Sequence, residues 1–374
     1  MQRFGLLALV CAVAVLVGPL DAKKKKKKGE DEEPQTQTLQ ILKDPPNAVV
    51  AETNRLVFHV SPLSAKGLLS QQVRDGLKAL LRSTGGASIV KLRAFVAGSG
   101  DLRRVHDIVS ETFTDRKQPL PALSTVQVGA LPLEGAQVVL ESTAVAKKDV
   151  NPFGLAFISG QGASSEQPLD PVLPLAQRAI DHLRSAVKAA GSEPADVLRL
   201  TCFLSSLDQV QEIRRLADTE YPGAAANYVQ LRRSPLNAVA ECEAVARLRS
   251  STGAKLHFVN PEGLSRSANF SQVALVSAPT VILSGSQVSF GFQEADARLA
   301  FQRLDKALDQ LGGSLRETAF SSLYPLSAGI AEQVRKVRFD FYDRARPPAS
   351  TMLIFEGLPS MDAGFAVDVV AVKN

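Results

Sequence analysis

The sequence predicts an α+β protein made of three tandem copies of one two-layer domain. Three observations predict it. An amphipathic helix closed by glycine recurs at a spacing of about 100 residues. A strand, a second helix and two more strands follow each of these helices in the same order. The composition, 45% hydrophobic and 22% charged, suits a chain with a substantial core. At roughly 100–200 residues per domain, 374 residues accommodate three such units.

The chain opens with Met1-Gln2-Arg3 and an apolar run from Phe4 to Leu20, broken by Gly18-Pro19 before Asp21-Ala22. One positive charge, an apolar stretch and a small residue at a cleavage point form the pattern of a secretory signal peptide over residues 1–22. The other reading is an uncleaved membrane anchor over residues 4–20. Lys23 to Lys28 follow directly, and positive charge resists translocation. The acids Glu30 to Glu33 offset that run only in part. Cys11 follows Val10, a poor context for lipid attachment. Residues 23–46 are charged and then Pro-rich, which reads as a flexible linker. The expected location is outside the cytoplasm, periplasmic or secreted.

Three repeats are expected at 47–150, 151–250 and 251–374. In the first, Leu69, Val73, Leu77, Leu80 and Leu81 form one helical face before Gly85-Gly86. The second uses Ala176, Ile180, Leu183 and Val187 before Gly191. The third uses Ala297, Phe301, Leu304, Leu308 and Leu311 before Gly312-Gly313. Apolar residues at i, i+3, i+4 and i+7 make the buried face, and glycine supplies a left-handed C-terminal cap. Strands are expected next at Ile89–Val96, Val197–Leu204 and Leu315–Leu323. In the first, Val90, Leu92, Ala94 and Val96 alternate with Lys91 and Arg93, the pattern of a strand with one face in solvent. Second helices are expected over Leu102–Phe113, Leu207–Ala217 and Ile330–Tyr342. Closing strands follow at Val138–Val145, Ala240–Val245 and Phe365–Val372, and opening strands at Leu56–Val60, Leu155–Ser159 and Thr280–Ser284.

The charge of +5 is spread thinly, with zero on residues 1–22, +2 on 23–34 and +3 on the rest. That balance, no Trp and only 6% aromatic residues argue against a nucleic-acid partner. No membrane contact is expected beyond the leader. No Gly-x-Ser-x-Gly elbow, His-Glu-x-x-His or Cys-x-x-Cys occurs, and neither a cofactor nor a metal is implied. His106 and His182 fall on helices among charged residues and are expected in solvent. His59 reads as a satisfied core histidine. Cys202 and Cys242 could pair if their strands are neighbours; two buried thiols are the other reading.

Three motifs carry a family resemblance. Phe157-Ile158-Ser159-Gly160-Gln161 has a counterpart in Ile282-Leu283-Ser284-Gly285-Ser286. Asn269-Phe270-Ser271-Gln272 opens the third copy, and Pro121-Ala122-Leu123-Ser124-Thr125-Val126 runs on to Pro132. In order and spacing these resemble the RidA (YjgF/YER057c/UK114) family, whose fold is similar to chorismate mutase. The resemblance spans roughly residues 50–374. Family members are usually homotrimers with ligand clefts between subunits. Three copies in one chain therefore imply an intramolecular pseudo-trimer, monomeric as a chain, with beads on a string as the other arrangement.

The resemblance also implies hydrolysis of enamines and imines derived from amino acids, with a cleft arginine holding the substrate carboxylate. Counting back nine residues from Pro132, Pro235 and Pro359 gives Leu123, Ala226 and Ser350. None of them can pair with a carboxylate. The family's two closing-strand carboxylates match Glu241 and Glu243 in the second copy. Glu141 and Asp368 match only the second of them, with Val139 and Ala366 at the first. Glu241 is thus the candidate general base, with a solvent-facing or Arg-paired edge carboxylate as the alternative. Arg232, Arg233, Arg344 and Arg346 read as surface charge. The candidate ligand-binding positions are Ser159, Gly160, Gln161, Phe270, Ser284, Gly285, Leu123, Ala226 and Ser350. Two functions follow. One is a protein that binds a small molecule or partner without the usual deaminase activity. The other is a divergent deaminase that uses Glu241 and water.

Overall fold

The structure, a computed structural model, describes residues 42–373. The leader and most of the charged linker lie outside the described residues. The first region holds β1 (Ala48–Glu52), β2 (Leu56–Val60), α1 (Leu69–Ser83), β3 (Ser88–Ala97), α2 (Arg103–Asp115), β4 (Ala122–Val128) and β5 (Val138–Val145). The second holds β6 (Leu155–Ser165), α3 (Val172–Ala189), β7 (Val197–Leu204), α4 (Val210–Glu220), β8 (Ala225–Gln230) and β9 (Ala238–Arg247). The third holds β10 (Leu256–Val259), β11 (Val273–Val276), β12 (Thr280–Ser284), β13 (Gln287–Phe290), α5 (Glu294–Asp309), β14 (Thr318–Pro325), α6 (Ala328–Val337), β15 (Ala349–Met352) and β16 (Ala363–Val372). No helix among the described residues is long and apolar enough to cross a membrane.

One strand order occurs three times: β2-β5-β3-β4, β6-β9-β7-β8 and β12-β16-β14-β15. In each copy the last two strands are parallel, joined by a crossover helix, while the other pairs are antiparallel. A register shift recurs near the start of the third strand, at Ile89/Lys91, Val197/Arg199 and Thr318/Phe320. Each sheet carries two helices on one face, over a core of its own. The helix ends follow the glycines, with Gly85, Gly191 and Gly312 all at positive φ. The expected strand Leu315–Leu323 starts late, because Leu315–Glu317 forms a 3₁₀ turn. The expected helix Ile330–Tyr342 stops at Val337, with a 3₁₀ turn after it.

The strands do not respect the expected repeat boundaries. β1 pairs with β12, so the first region completes the third sheet. β11 pairs with β6, so the third region completes the second sheet. Each exchange satisfies a strand edge that would otherwise stay open. It also ties neighbouring sheets covalently.

The faces without helices meet at a common centre. One apolar cluster there joins Phe58 of β2, Phe157 of β6 and Phe320 of β14. Another joins Phe95 of β3, Phe203 of β7 and Tyr324 of β14. The ring centroids of Phe95 and Phe203 lie 6.0 Å apart. This centre corrects the expectation that Lys91 and Arg93 face solvent. They are 8% and 4% exposed, because their face of β3 packs on the other two sheets.

Charges in that centre are paired. Arg93 donates from Nη2 to Glu141 (2.7 Å) and to Glu243 (2.7 Å), and so links the first and second sheets. Thr201 and Asn227 each donate to the other oxygen of Glu141 at 2.8 Å. Arg199 reaches Glu243 at 3.2 Å. Lys91 pairs with Asp368 at 3.0 Å and donates to the Ser284 carbonyl, linking the first and third sheets. Ser124 and Tyr324 donate to Asp368 at 2.7 and 3.0 Å. Burial alone would raise the Asp368 carboxyl, but Lys91 and Ser124 outweigh it and hold it below the carboxylate range. Three cations thus face three carboxylates in this buried centre.

Cys202 and Cys242 sit opposite one another on β7 and β9 and form a disulfide, with Cα atoms 4.1 Å apart. Neighbouring strands settle the two readings in favour of the bond. It closes a loop with a sequence separation of 40. Removing it in a Cys202→Ala/Cys242→Ala variant is expected to cost about 2–4 kcal/mol in urea unfolding. An unchanged midpoint would show that the bond does not stabilise the fold.

Candidate cleft around Glu241

The candidate site begins at a bulge. β6 and β9 pair Ile158 with Ala244 and then Gln161 with Cys242, so Ser159 and Gly160 together span the place opposite Glu243. The bulge turns the strand end toward the third sheet. Ser159 is buried; its Oγ donates to the Ser271 carbonyl (2.6 Å) and accepts from the Ser350 amide (2.8 Å). The Gly160 amide donates to Thr351 Oγ1 at 3.1 Å. Ser350, at the position of the family arginine, is therefore brought to the Ser-Gly-Gln strand end. It is itself buried, at 5% exposure.

Glu241 lies across the glycines of that strand end. A Cβ at Gly160 would stand 1.9 Å from Glu241 Oε1, and one at Gly162 3.0 Å from Oε2. Glycine is needed here for close approach rather than for a left-handed backbone. Gln161 Nε2 donates to Gln272 Oε1 at 2.6 Å, and Gln272 Nε2 donates to the Ser265 carbonyl at 2.7 Å. With His182 and Phe270 these groups line an open cleft of about 490 Å³. His182 is thus half-buried on a cleft wall, not in free solvent as expected. Among the described residues no Lys or Arg lines the cleft. Burial, and then the nearby Glu243, push the Glu241 carboxyl up to about 8.

A second cleft, about 450 Å³, collects Leu123, Gly285 and Ser286 with Arg103 and His106. The Ser286 amide donates to the Leu123 carbonyl at 3.1 Å. A Cβ at Gly285 would lie 2.8 Å from that carbonyl oxygen. Leu123 packs on the core beneath α1 and α2. His106 is half-buried on this cleft's wall rather than free in solvent. Ser284 is buried beneath the cleft, its Oγ accepting from the Val369 amide at 2.8 Å. Ala226 is brought into neither cleft. It packs in the second core, on a strand that lies against β2. His59 on β2 is half-buried, but its Nε2 finds no partner, so it is not the satisfied core histidine expected.

The cleft brings together Glu241, Gly160, Gln161 and Phe270, each named from the sequence as a separate candidate, with Gln272, Ser265 and His182, which were not named as site residues. The Ser271-Gln272 pair was legible as a motif, and its pairing across repeats was not. Of the extra arginines, Arg346 lies near Glu317 and Asp343 on the surface. Arg344 stacks on Phe339. Arg232 is half-buried and lines a separate apolar cleft of about 240 Å³.

Residues 65–146 match the model of the family described as endoribonuclease L-PSP. That stretch, about a fifth of the chain, is what the family model matches. Solved structures similar to it include a YjgF-family protein of Neisseria meningitidis, NMB1025, at 15% identity. That match covers 32% of this chain and 95% of the other, with a TM-score of 0.24. Rv2704 of Mycobacterium tuberculosis, of the YjgF/YER057c/UK114 family, is 18% identical over 31% of this chain and 98% of its own, with a TM-score of 0.24. TdcF of E. coli, solved with bound serine, is 20% identical over 29% and 99%, with a TM-score of 0.23. A search of the curated proteins found no match. The strand order of the first region, which holds the matched residues, recurs in the other two sheets.

Proposed function

We propose that the chain is a RidA-like binding protein, closed as a pseudo-trimer, that takes up a small molecule or partner in its inter-repeat clefts without the family's imine deaminase activity. The observation that carries this reading is the loss of the arginine at its family position; Arg103 on the wall of the second cleft is engaged by Asp101. Leu123, Ala226 and Ser350 stand at the arginine position; Leu123 and Ala226 are half-buried against the cores, and Ser350 is buried. The Glu241 cleft, which alone keeps the first carboxylate, has no cationic wall residue among the described residues to replace it. A substrate carboxylate entering that cleft would lose a charge-assisted pair worth about 1.5–3 kcal/mol. It would also meet Glu241 as a like charge once that group ionises.

Export is part of the proposal. The leader pattern of residues 1–22 and the Cys202–Cys242 disulfide both suit an oxidising compartment. The usual imine substrates arise in the cytosol, which agrees with a changed role.

A second reading, a divergent deaminase, is favoured by one observation. A carboxyl pushed up to about 8 can exchange a proton with water near neutral pH. The Arg232 cleft also shares Val239 with the Glu241 cleft. Freshly generated 2-iminopropionate tests both readings: decay at the buffer rate is expected, and accelerated decay that Glu241→Gln abolishes would establish the second.

A further inference from the structure

We infer that the Glu241 cleft selects a small organic cation, a primary ammonium or amidinium compound, in place of the amino-acid carboxylate that RidA-like clefts hold through arginine. This inference rests on the binding reading above and deepens it. Keeping the carboxylate while losing the arginine inverts the charge preference of the site. Glu241 is seated against Gly160 and Gly162, so its carboxyl is positioned rather than free to swing away. Phe270 supplies an aromatic wall, which suits the flank of an organic cation. Gln161 and Gln272 hold each other through their carboxamides, which fixes the polar side of the cleft. The matching positions in the other copies, Val139 and Ala366, are apolar and in the central cluster. Only one of the three copies therefore has this site.

Two further titratable groups face Glu241: His182 from α3 across the cleft, and Glu243 on β9. Glu243 is engaged by Arg93 and Arg199. A cation that binds beside Glu241 favours its ionised form, so binding releases a proton at pH 7. Below pH 8, affinity for the cation rises about tenfold per pH unit.

Benzylammonium and benzoate form a matched pair of probes for isothermal titration calorimetry on the full chain. Benzylammonium is expected to bind and release about one proton at neutral pH, read from buffers of different ionisation enthalpy. Benzoate is expected to give no binding heat. Glu241→Gln should weaken benzylammonium about ten- to hundredfold. Gly160→Ala is the second variant: it displaces the Glu241 carboxyl while leaving that residue in place, and should weaken binding similarly with the melting temperature retained. Absent benzylammonium binding, binding untouched by Glu241→Gln, or tighter binding of benzoate would each overturn the inference. Failure of the cation inference leaves the imine assay unaffected, so the two readings fail separately.

Discussion

Replacing Arg93 with methionine is expected to destabilise the protein by about 3–5 kcal/mol, the cost of stranding buried charges. Arg93 is the one cation that holds both Glu141 and Glu243, each through a 2.7 Å hydrogen bond. Both carboxylates are almost wholly buried, at 2% and 0% exposure. Without the guanidinium, Glu141 keeps Thr201 and Asn227 but has no cation in contact. Glu243 keeps Arg199 at 3.2 Å. Burial then dominates, and the carboxylates must either protonate or draw in water. Urea unfolding gives the magnitude. A second comparison separates lost charge pairing from lost packing. In an Arg93→Met/Glu141→Gln/Glu243→Gln variant the stranded charges are gone, and most of the loss should be recovered. A triple variant as unstable as the single one would place the cost in side-chain packing.

Glu241 should make stability fall with pH. Its carboxyl is raised from an ordinary 4.5 to about 8 by burial and by Glu243. A raised folded-state value means that the folded protein holds a proton the unfolded chain releases. The stabilisation is complete below pH 4.5 and is lost as pH climbs to about 8. Glu241→Gln removes that dependence. Its unfolding free energy relative to the parent protein should therefore rise between pH 5 and pH 8.5. A carboxyl raised by one pH unit corresponds to about 1.4 kcal/mol, and partial exposure of the side chain reduces the total. A difference that stays flat across that range would put the carboxyl in water.

Much of the local structure was legible because each copy repeats the same pattern. The glycine-capped helices and the strands at Leu56–Val60, Val197–Leu204 and Val138–Val145 appear where periodicity put them. Lys91 and Arg93 defeat the same logic. Alternation with polar residues says only that one face of β3 differs from the other. It cannot say that the polar face meets two more sheets whose carboxylates neutralise it. The exchanged strands β1 and β11 were hidden for a related reason, since pairing between distant segments leaves no local periodicity. In the candidate site, Glu241 and Gly160 were visible as motif residues. Their contact was not, because the 1.9 Å approach depends on a bulge rather than on spacing. The inability of Leu123, Ala226 and Ser350 to pair with a carboxylate was readable directly, and the structure adds that Leu123 and Ala226 are half-buried against the cores and Ser350 is buried.

The most direct test of the lost arginine is turnover itself. Purified protein is added to 2-iminopropionate generated in place by an amino-acid oxidase, and the imine is trapped over time. The expected result is decay at the uncatalysed rate, unchanged by Glu241→Gln. Decay that accelerates in proportion to protein concentration, and returns to the buffer rate in Glu241→Gln, would contradict a binding protein and make the Glu241 cleft an active site.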